Sequence, residues 1–274
     1  MSGGGGSVVG PGAWLGGAAG ERAFCLLAPN PGPMTLEGTN TWVLREPGAD
    51  VALVVDPGPD DEGHLARVLA AVRAAGAHVS EVLLTHGHLD HSEGAVRFAG
   101  LCGPRVGVRA LDPAYRLGSE GLGEGDVVTA GGLEVRVVGT PGHTSDSLSF
   151  LLPADGSVLT GDTVLGRGTT VVAHPDGRLA AYLQSLDRLH DLAVAGAVAS
   201  ILPGHGPVLP DARSVIEGYQ AHRAERLAQV RAAVAAGART PREVVERVYV
   251  DVDRALWPAA ELSVRAQLDY LGVR

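Results

Sequence analysis

Cysteine is scarce in this chain: Cys25 and Cys102 stand far apart beside apolar neighbours. That excludes a disulfide framework, a C-x-x-C redox motif and a thiolate metal site. Basic charge is short as well, with Lys+Arg 22 against Asp+Glu 31 and a formal net charge of -9. No chain-wide positive field draws in nucleic acid, so any such binding must use a local patch. No apolar stretch reaches the roughly 18 to 20 uninterrupted residues of a membrane span. The opening MSGGGGSVVGPGAWLGGAAGE has neither an early Lys or Arg nor an apolar core, so it does not read as a signal peptide. Residues 1–20 read instead as a flexible Gly-rich leader, and the expected location is the cytoplasm, with no membrane partner.

With 274 residues, 45% hydrophobic and 19% charged, the chain can bury a large core and still carry an appendage. Short apolar runs alternate with amphipathic helical patterns between Gly and Pro, the rhythm of a layered α/β domain. FCLLAPN, NTWVLR and DVALVVDPG read as strands, the last stopped at Asp56-Pro57-Gly58. Leu65, Val68, Leu69 and Val72 then fall at helical spacing, with Gly76 as the stop. HVSEVLLTH, LEVRVVGTPGH, SVLTGDT and ASILPGHGP are further strands, and Leu179, Tyr182, Leu183, Leu186 and Leu189 mark a helix between the last two. After Pro210 the composition turns Ala-, Arg- and Glu-rich: one long helix, then Thr240 as N-cap with Pro241 at the first helical position. The expected division is a domain over 21–210 and a small helical appendage over 211–274.

The chemistry lies at the strand ends. LLTHGHLDHSEG packs His86, His88, Asp90 and His91 into six positions directly after an apolar run. Four ligands on so short a loop cannot all reach one tetrahedral ion without strain, so the economical arrangement divides them. His86 and His88 then serve one ion, Asp90 and His91 a second. The completing candidates are His143 in GTPGHTSDS, Asp162 in LTGDT and His205 in LPGHGP, each after a strand and beside Gly, where backbones can crowd round a small site. Asp162 has two carboxylate oxygens and can bridge. Taken singly, the two histidines read as structural or surface histidines and Asp162 as a turn or capping residue; their shared placement makes them a set. His64, His78, His174, His190 and His222 fall on helix faces or connections and read as non-ligands. Tyr219, His222, Arg223 and Arg226 cluster on the C-terminal helix, where a solvated or salt-bridged face is the ordinary reading and contact with an anionic substrate the alternative.

THGHLDH, TPGHT, TGDT and PGHGP in this order resemble the metallo-β-lactamase fold superfamily over residues 21 to about 210. The resemblance implies an α/β fold, a four-layer αβ/βα sandwich with its metal site at one edge between the sheets. It assigns His86, His88 and His143 to one ion, Asp90, His91 and His205 to the other, and Asp162 to both. NPGPMTLEGTNTWVL, TPGHTSDSLSF, GDTVLGRGTTVV and YQAHRAERLAQV look like the β-lactamase-like protein 2 group. Its members carry a winged-helix-like C-terminal domain and include a single-strand-specific endoribonuclease. Gly87 and Leu89 stand where that group often has an aromatic and a basic residue, and the chain ends soon after its last helix, leaving little room for a β-wing.

The stretch from Asp162 to His205 is too short for the inserted domain of the β-CASP branch. His at position 88 disfavours the di-iron flavoprotein branch, and no Cys stands at a ligand position as in many lactamases. The resemblance therefore implies a binuclear zinc hydrolase, with iron or manganese as other metals. A water between two ions is activated as hydroxide, and Asp90 is the expected catalytic residue, orienting that water or taking its proton. Single-stranded RNA and a small-molecule thioester, ester or lactone remain alternative substrates. A mononuclear iron dioxygenase using His86, His143 and Asp162 and a non-catalytic scaffold are the further alternatives. Specificity is expected from GPMTLEGTN, GRGTTVVAHPDG and the C-terminal helices.

Overall fold

The computed structural model describes residues 14–118 and 120–273. The first thirteen residues of the expected leader lie outside them. The leader's last residues are not a free tail: Trp14 Nε1 donates to Asn40 Oδ1 at 2.8 Å, and Gly17–Ala19 pair antiparallel with residues 23–25. This edge pairing is set by a partner strand, and the Gly-rich local sequence carries no sign of it.

In chain order the elements are β1 (Gly17–Ala19), β2 (Ala23–Leu27), β3 (Asn40–Leu44), β4 (Val51–Val55), α1 (Glu62–Ala74), β5 (His78–Leu83), α2 (Leu89–Ser92), α3 (Ala95–Cys102) and β6 (Gly107–Arg109). Then come β7 (Val127–Ala130), β8 (Leu133–Gly139), β9 (Leu148–Leu152), β10 (Ser157–Gly161), α4 (Leu179–Val194), β11 (Ser200–Pro203), α5 (Ala212–Ala235), α6 (Pro241–Val248) and α7 (Trp257–Tyr270). One sheet has the order β1-β2-β3-β4-β5-β6, the other β11-β10-β9-β8-β7. In β8 the apolar residues alternate, Leu133, Val135 and Val137 pointing inward, whereas β9 and β10 are buried along their whole length because helices cover their outer face.

The inner faces meet in a core containing Trp42, Leu44, Leu53, Leu83, Val137, Phe150 and Leu159. Outside the first sheet, α1 and α3 bury Leu65, Val68, Val72 and Phe98 against Val54 and Val82. Outside the second, α4 and α5 bury Tyr182, Leu186, Leu189, Ile216 and Tyr219 against Leu151, Val158 and Ile201. The result is the expected αβ/βα sandwich. Helix ends follow local chemistry: Asp61 caps α1 by accepting from the His64 amide, and Thr240 and Glu243 form a capping box on α6 with Pro241 in its first turn. The C-terminal part has its own core of Val230, Val244, Val245, Trp257 and Val264. Its described residues beyond α5 contain helices and no strand.

At one edge the two sheets are tied together by backbone and side-chain hydrogen bonds. Leu148 N donates to Thr85 O at 2.7 Å and Asn40 N to Gly204 O at 2.7 Å, and Asn40 Nδ2 donates to Pro203 O and Gly206 O. The candidate ligands gather at this edge.

Candidate metal centre

The 86–91 turn leaves the end of β5 and enters α2, so His88 sits at the N-cap while Asp90 and His91 lie in the first helical turn. His143 stands in the β8–β9 connection, Asp162 directly after β10 and His205 directly after β11. Strand ends from both sheets thereby bring all seven predicted residues to one place. His88 Nδ1 lies 3.1 Å from His86 Nε2 and 3.1 Å from His143 Nε2. His205 Nε2 lies 3.3 Å from His91 Nε2 and 3.2 Å from Asp90 Oδ2. The Asp162 carboxylate faces both groups: Oδ1 is 3.4 Å from His91 Nε2 and 3.3 Å from His205 Nε2, and Oδ2 is 3.7 Å from His143 Nε2.

These residues fit metal ions on three grounds. Ligand atoms about a tetrahedral ion with bonds of 2.0–2.1 Å stand roughly 3.3 Å apart, close to the nitrogen separations here. Asp162 Oδ1 is buried without a hydrogen-bond partner, an orphan that a cation would satisfy. The outward ring nitrogens are also fixed by neighbours. His143 Nδ1 donates to Val171 O at 2.7 Å and His205 Nδ1 to Gly38 O at 3.1 Å. His91 Nδ1 donates to Asp56 Oδ2 at 2.9 Å. Thr85 Oγ1, whose proton goes to Asp56 Oδ2, accepts from His86 Nδ1 at 3.0 Å. Each donation leaves an Nε2 lone pair facing the cluster.

The electrostatics divide the same way. Burial and the charge of His91 push the His86 imidazole well below its ordinary range, and burial likewise lowers His143. Both are neutral, ready ligands. In the other half burial is overcome: Asp162 and Asp56 hold His91 well above its usual value, and Asp162 and Asp90 hold His205 up at about 9. Against its own burial, Asp90 is brought down to about 2 by its bond to His205 and the charge of His91. Three buried or half-buried carboxylates thus call for positive charge at the His91 and His205 Nε2 positions, which a proton or a metal cation supplies.

Asp56, directly after β4, does more than stop the strand. It accepts from the Thr85 amide at 2.8 Å and from Thr85 Oγ1 at 2.6 Å, and orients His91. Its position after an apolar run, like that of Asp162, was the available signal. His64 is buried against Thr41 Oγ1 at 2.8 Å, and neither it nor any other histidine read as a non-ligand joins the three ligand groups.

The C-terminal helix departs from its ordinary reading as a solvated face. Tyr219 and Arg223 are buried, and Arg223, His222 and Arg226 line a pocket of about 390 Å³ whose wall includes His143 and Asp162. Helix packing explains the difference. Leu165 N donates to Tyr219 Oη, Tyr182 Oη donates to Thr163 O, and Arg223 donates to Thr170 O. The loop after Asp162, including the Val171 carbonyl that fixes His143, is therefore held by α4 and α5. Met34 and Leu36 of the GPMTLEGTN loop and Leu256, Ala259 and Ala260 near and in α7 complete the pocket.

Residues 34–205 match the Metallo-beta-lactamase superfamily, and residues 240–272 the Beta-lactamase associated winged helix domain. Lactamase-like protein adaB of Aspergillus niger is 33% identical over 214 residues, 78% of this chain but only 64% of that relative's length. The atrochrysone carboxyl ACP thioesterase of Aspergillus fumigatus is 32% identical over 246 residues, 83% of this chain and 73% of that one. The Beta-lactamase-like protein 2 homolog of Drosophila melanogaster is 32% identical over 268 residues, 90% and 86% of the two chains. A beta-lactamase domain protein from Burkholderia ambifaria shares the fold, with a TM-score of 0.78 at 24% identity over 97% of this chain and 90% of that one. With the family match over residues 34–205, more than half of the chain, and relatives of one-third identity, the chain belongs to the metallo-beta-lactamase superfamily.

Proposed function

We propose that this chain is a binuclear metallohydrolase that cleaves a small thioester or ester. The observation that carries the reading is the pocket. Its wall runs from His143 and Asp162 to α7, it is lined by Met34, Leu36, Leu165 and Leu256, and its volume of about 390 Å³ suits a small molecule better than an extended polymer. The thioesterase relative, aligned over most of this chain, supports the same class.

His86, His88 and His143 would hold one ion, Asp90, His91 and His205 the other, with Asp162 between them. Their nitrogen and oxygen donors suit zinc first, with iron or manganese as alternatives. When bound, the ions supply Lewis acidity and bring the pKa of water towards neutrality. Asp90, ionised at neutral pH and 29% exposed at its side chain, would accept the hydrogen bond that orients the attacking water or take up its proton. Asp56 and the Val171 carbonyl keep the His91 and His143 rings in place. The apolar wall shields the acyl group from bulk water.

Metal-replete protein should be assayed on an acyl-glutathione thioester, a lactone, a chromogenic β-lactam and labelled single-stranded RNA, with metal content measured in parallel. We expect the thioester to be preferred and chelation to abolish its turnover. Asp90→Ala should lower kcat by at least about 100-fold; near-normal turnover with both metals retained would remove Asp90 from this role. Cleavage of single-stranded RNA is the second reading, supported by the sequence resemblance to the β-lactamase-like protein 2 group and by Arg223 and Arg226 on the pocket wall, since guanidinium suits phosphate. Preference for the RNA arm would replace the first reading with this one.

A further inference from the structure

The pocket wall formed by α5 carries an unbalanced charge. Arg223 is 8% exposed, yet among the described residues no carboxylate pairs with it or with Arg226. The chain has 31 acidic residues, and across the pocket Arg167 does have one, Glu37, at 2.6 Å. Burying a guanidinium without a counter-charge is costly. Of its five N–H groups, Arg223 spends one on Thr170 O, while its Nε is buried without a hydrogen-bond partner, as is His222 Nδ1. Both arginines are nonetheless held in place, Arg223 stacked 4.8 Å over the Tyr182 ring and Arg226 4.4 Å over that of Tyr249. Cations fixed in advance of any partner lose little freedom when an anion arrives.

We infer that Arg223, Arg226 and His222 of α5 form an oxyanion subsite, which takes a carboxylate or phosphate on the part of the substrate that enters the pocket. The inference rests on the proposed small-molecule hydrolysis only for what that oxyanion is attached to. A merely structural Arg223, clamping the loop through Thr170, gives no reason for the pocket to tell an acid from its neutral amide.

Binding of 2-naphthoate, 2-naphthyl phosphate and 2-naphthamide to the metal-replete full chain, measured by titration calorimetry, separates the two. We expect at least one of the two anions to bind ten-fold or more tighter than the amide. Arg223→Met should bring that ratio to within about two-fold and Arg223→Lys should restore part of it, whereas anion binding at the metal cluster alone would leave the ratio unchanged. Arg226→Met, on the same helix, provides the same readout if Arg223→Met fails to unfold cooperatively. Equal binding of acid, phosphate and amide, or a preference that survives in both Met variants, overturns the subsite. Neither result depends on turnover, so a thioesterase without acid preference, or acid preference without thioester cleavage, is recognised as such.

Discussion

Single residues set the tolerances of the cluster. A methyl group on Gly204 would lie 2.6 Å from Asp162 Oδ1 and 2.8 Å from His91 Cε1, closer than such atoms approach. Gly204→Ala must therefore displace the carboxylate shared by both ligand groups, and a shift of about 1 Å is worth about 100-fold in rate. Fewer than two metals per chain and a correspondingly lower kcat are expected; unchanged metal content would show that Asp162 can move without consequence. His64 provides a pH test away from the cluster. Burial, helped by the nearby Arg67 charge, pushes its imidazole from 6.5 down to about 4. The unfolded chain then takes up a proton below about 6.5 while the folded chain does not until about 4. Stability contributed by the neutral ring is complete above 6.5 and lost as pH falls through that window, amounting to about 3 kcal/mol. His64→Asn should shrink the difference between urea midpoints at pH 7 and pH 4.5, and an identical difference in the two proteins would rule the effect out.

Between neighbouring elements, the vacancy inside the HGHLDH turn proves to be occupied. A side chain at Gly87 would run into the ring of Tyr115, which comes from the 3-10 turn Pro113–Tyr115 after β6. The bulk missing from position 87 is thus supplied by another segment, and Leu89 beside it is exposed. Gly87→Ala should push the turn and the 3-10 segment apart and lower kcat/KM about ten-fold or more; adding Tyr115→Ala should recover most of the loss, a coupling of about 1 to 3 kcal/mol in a double-mutant cycle. Additive losses would mean that the two do not meet. The turn motif itself was legible because its ligands are adjacent in sequence. Tyr115 was not, because nothing local relates it to residue 87.

Across the whole molecule, the cluster joins the two sheets: His86, His88, Asp90 and His91 follow a strand of one, His143, Asp162 and His205 strands of the other. Ions held there bind the folded state alone, and at 100 times their dissociation constant each stabilises it by about 2.7 kcal/mol. Chelator treatment should lower the melting temperature and zinc should restore it; a melting temperature indifferent to a measured change in metal content would place the ions outside this seam. What the sequence determined by itself was whatever repeats or caps over short distances. Alternation in β8, the helical spacing from Leu65 to Val72, the capping box at Thr240 and the Gly-flanked ligands at strand ends are all chain-local preferences. Tertiary structure decided the rest. It paired Gly17–Ala19 as an edge strand, set Asp56 against a histidine 35 positions away, and turned Arg223 from a solvated face into a buried wall. Each of these depends on which distant segment packs alongside, and an isolated stretch of sequence holds no record of its neighbours.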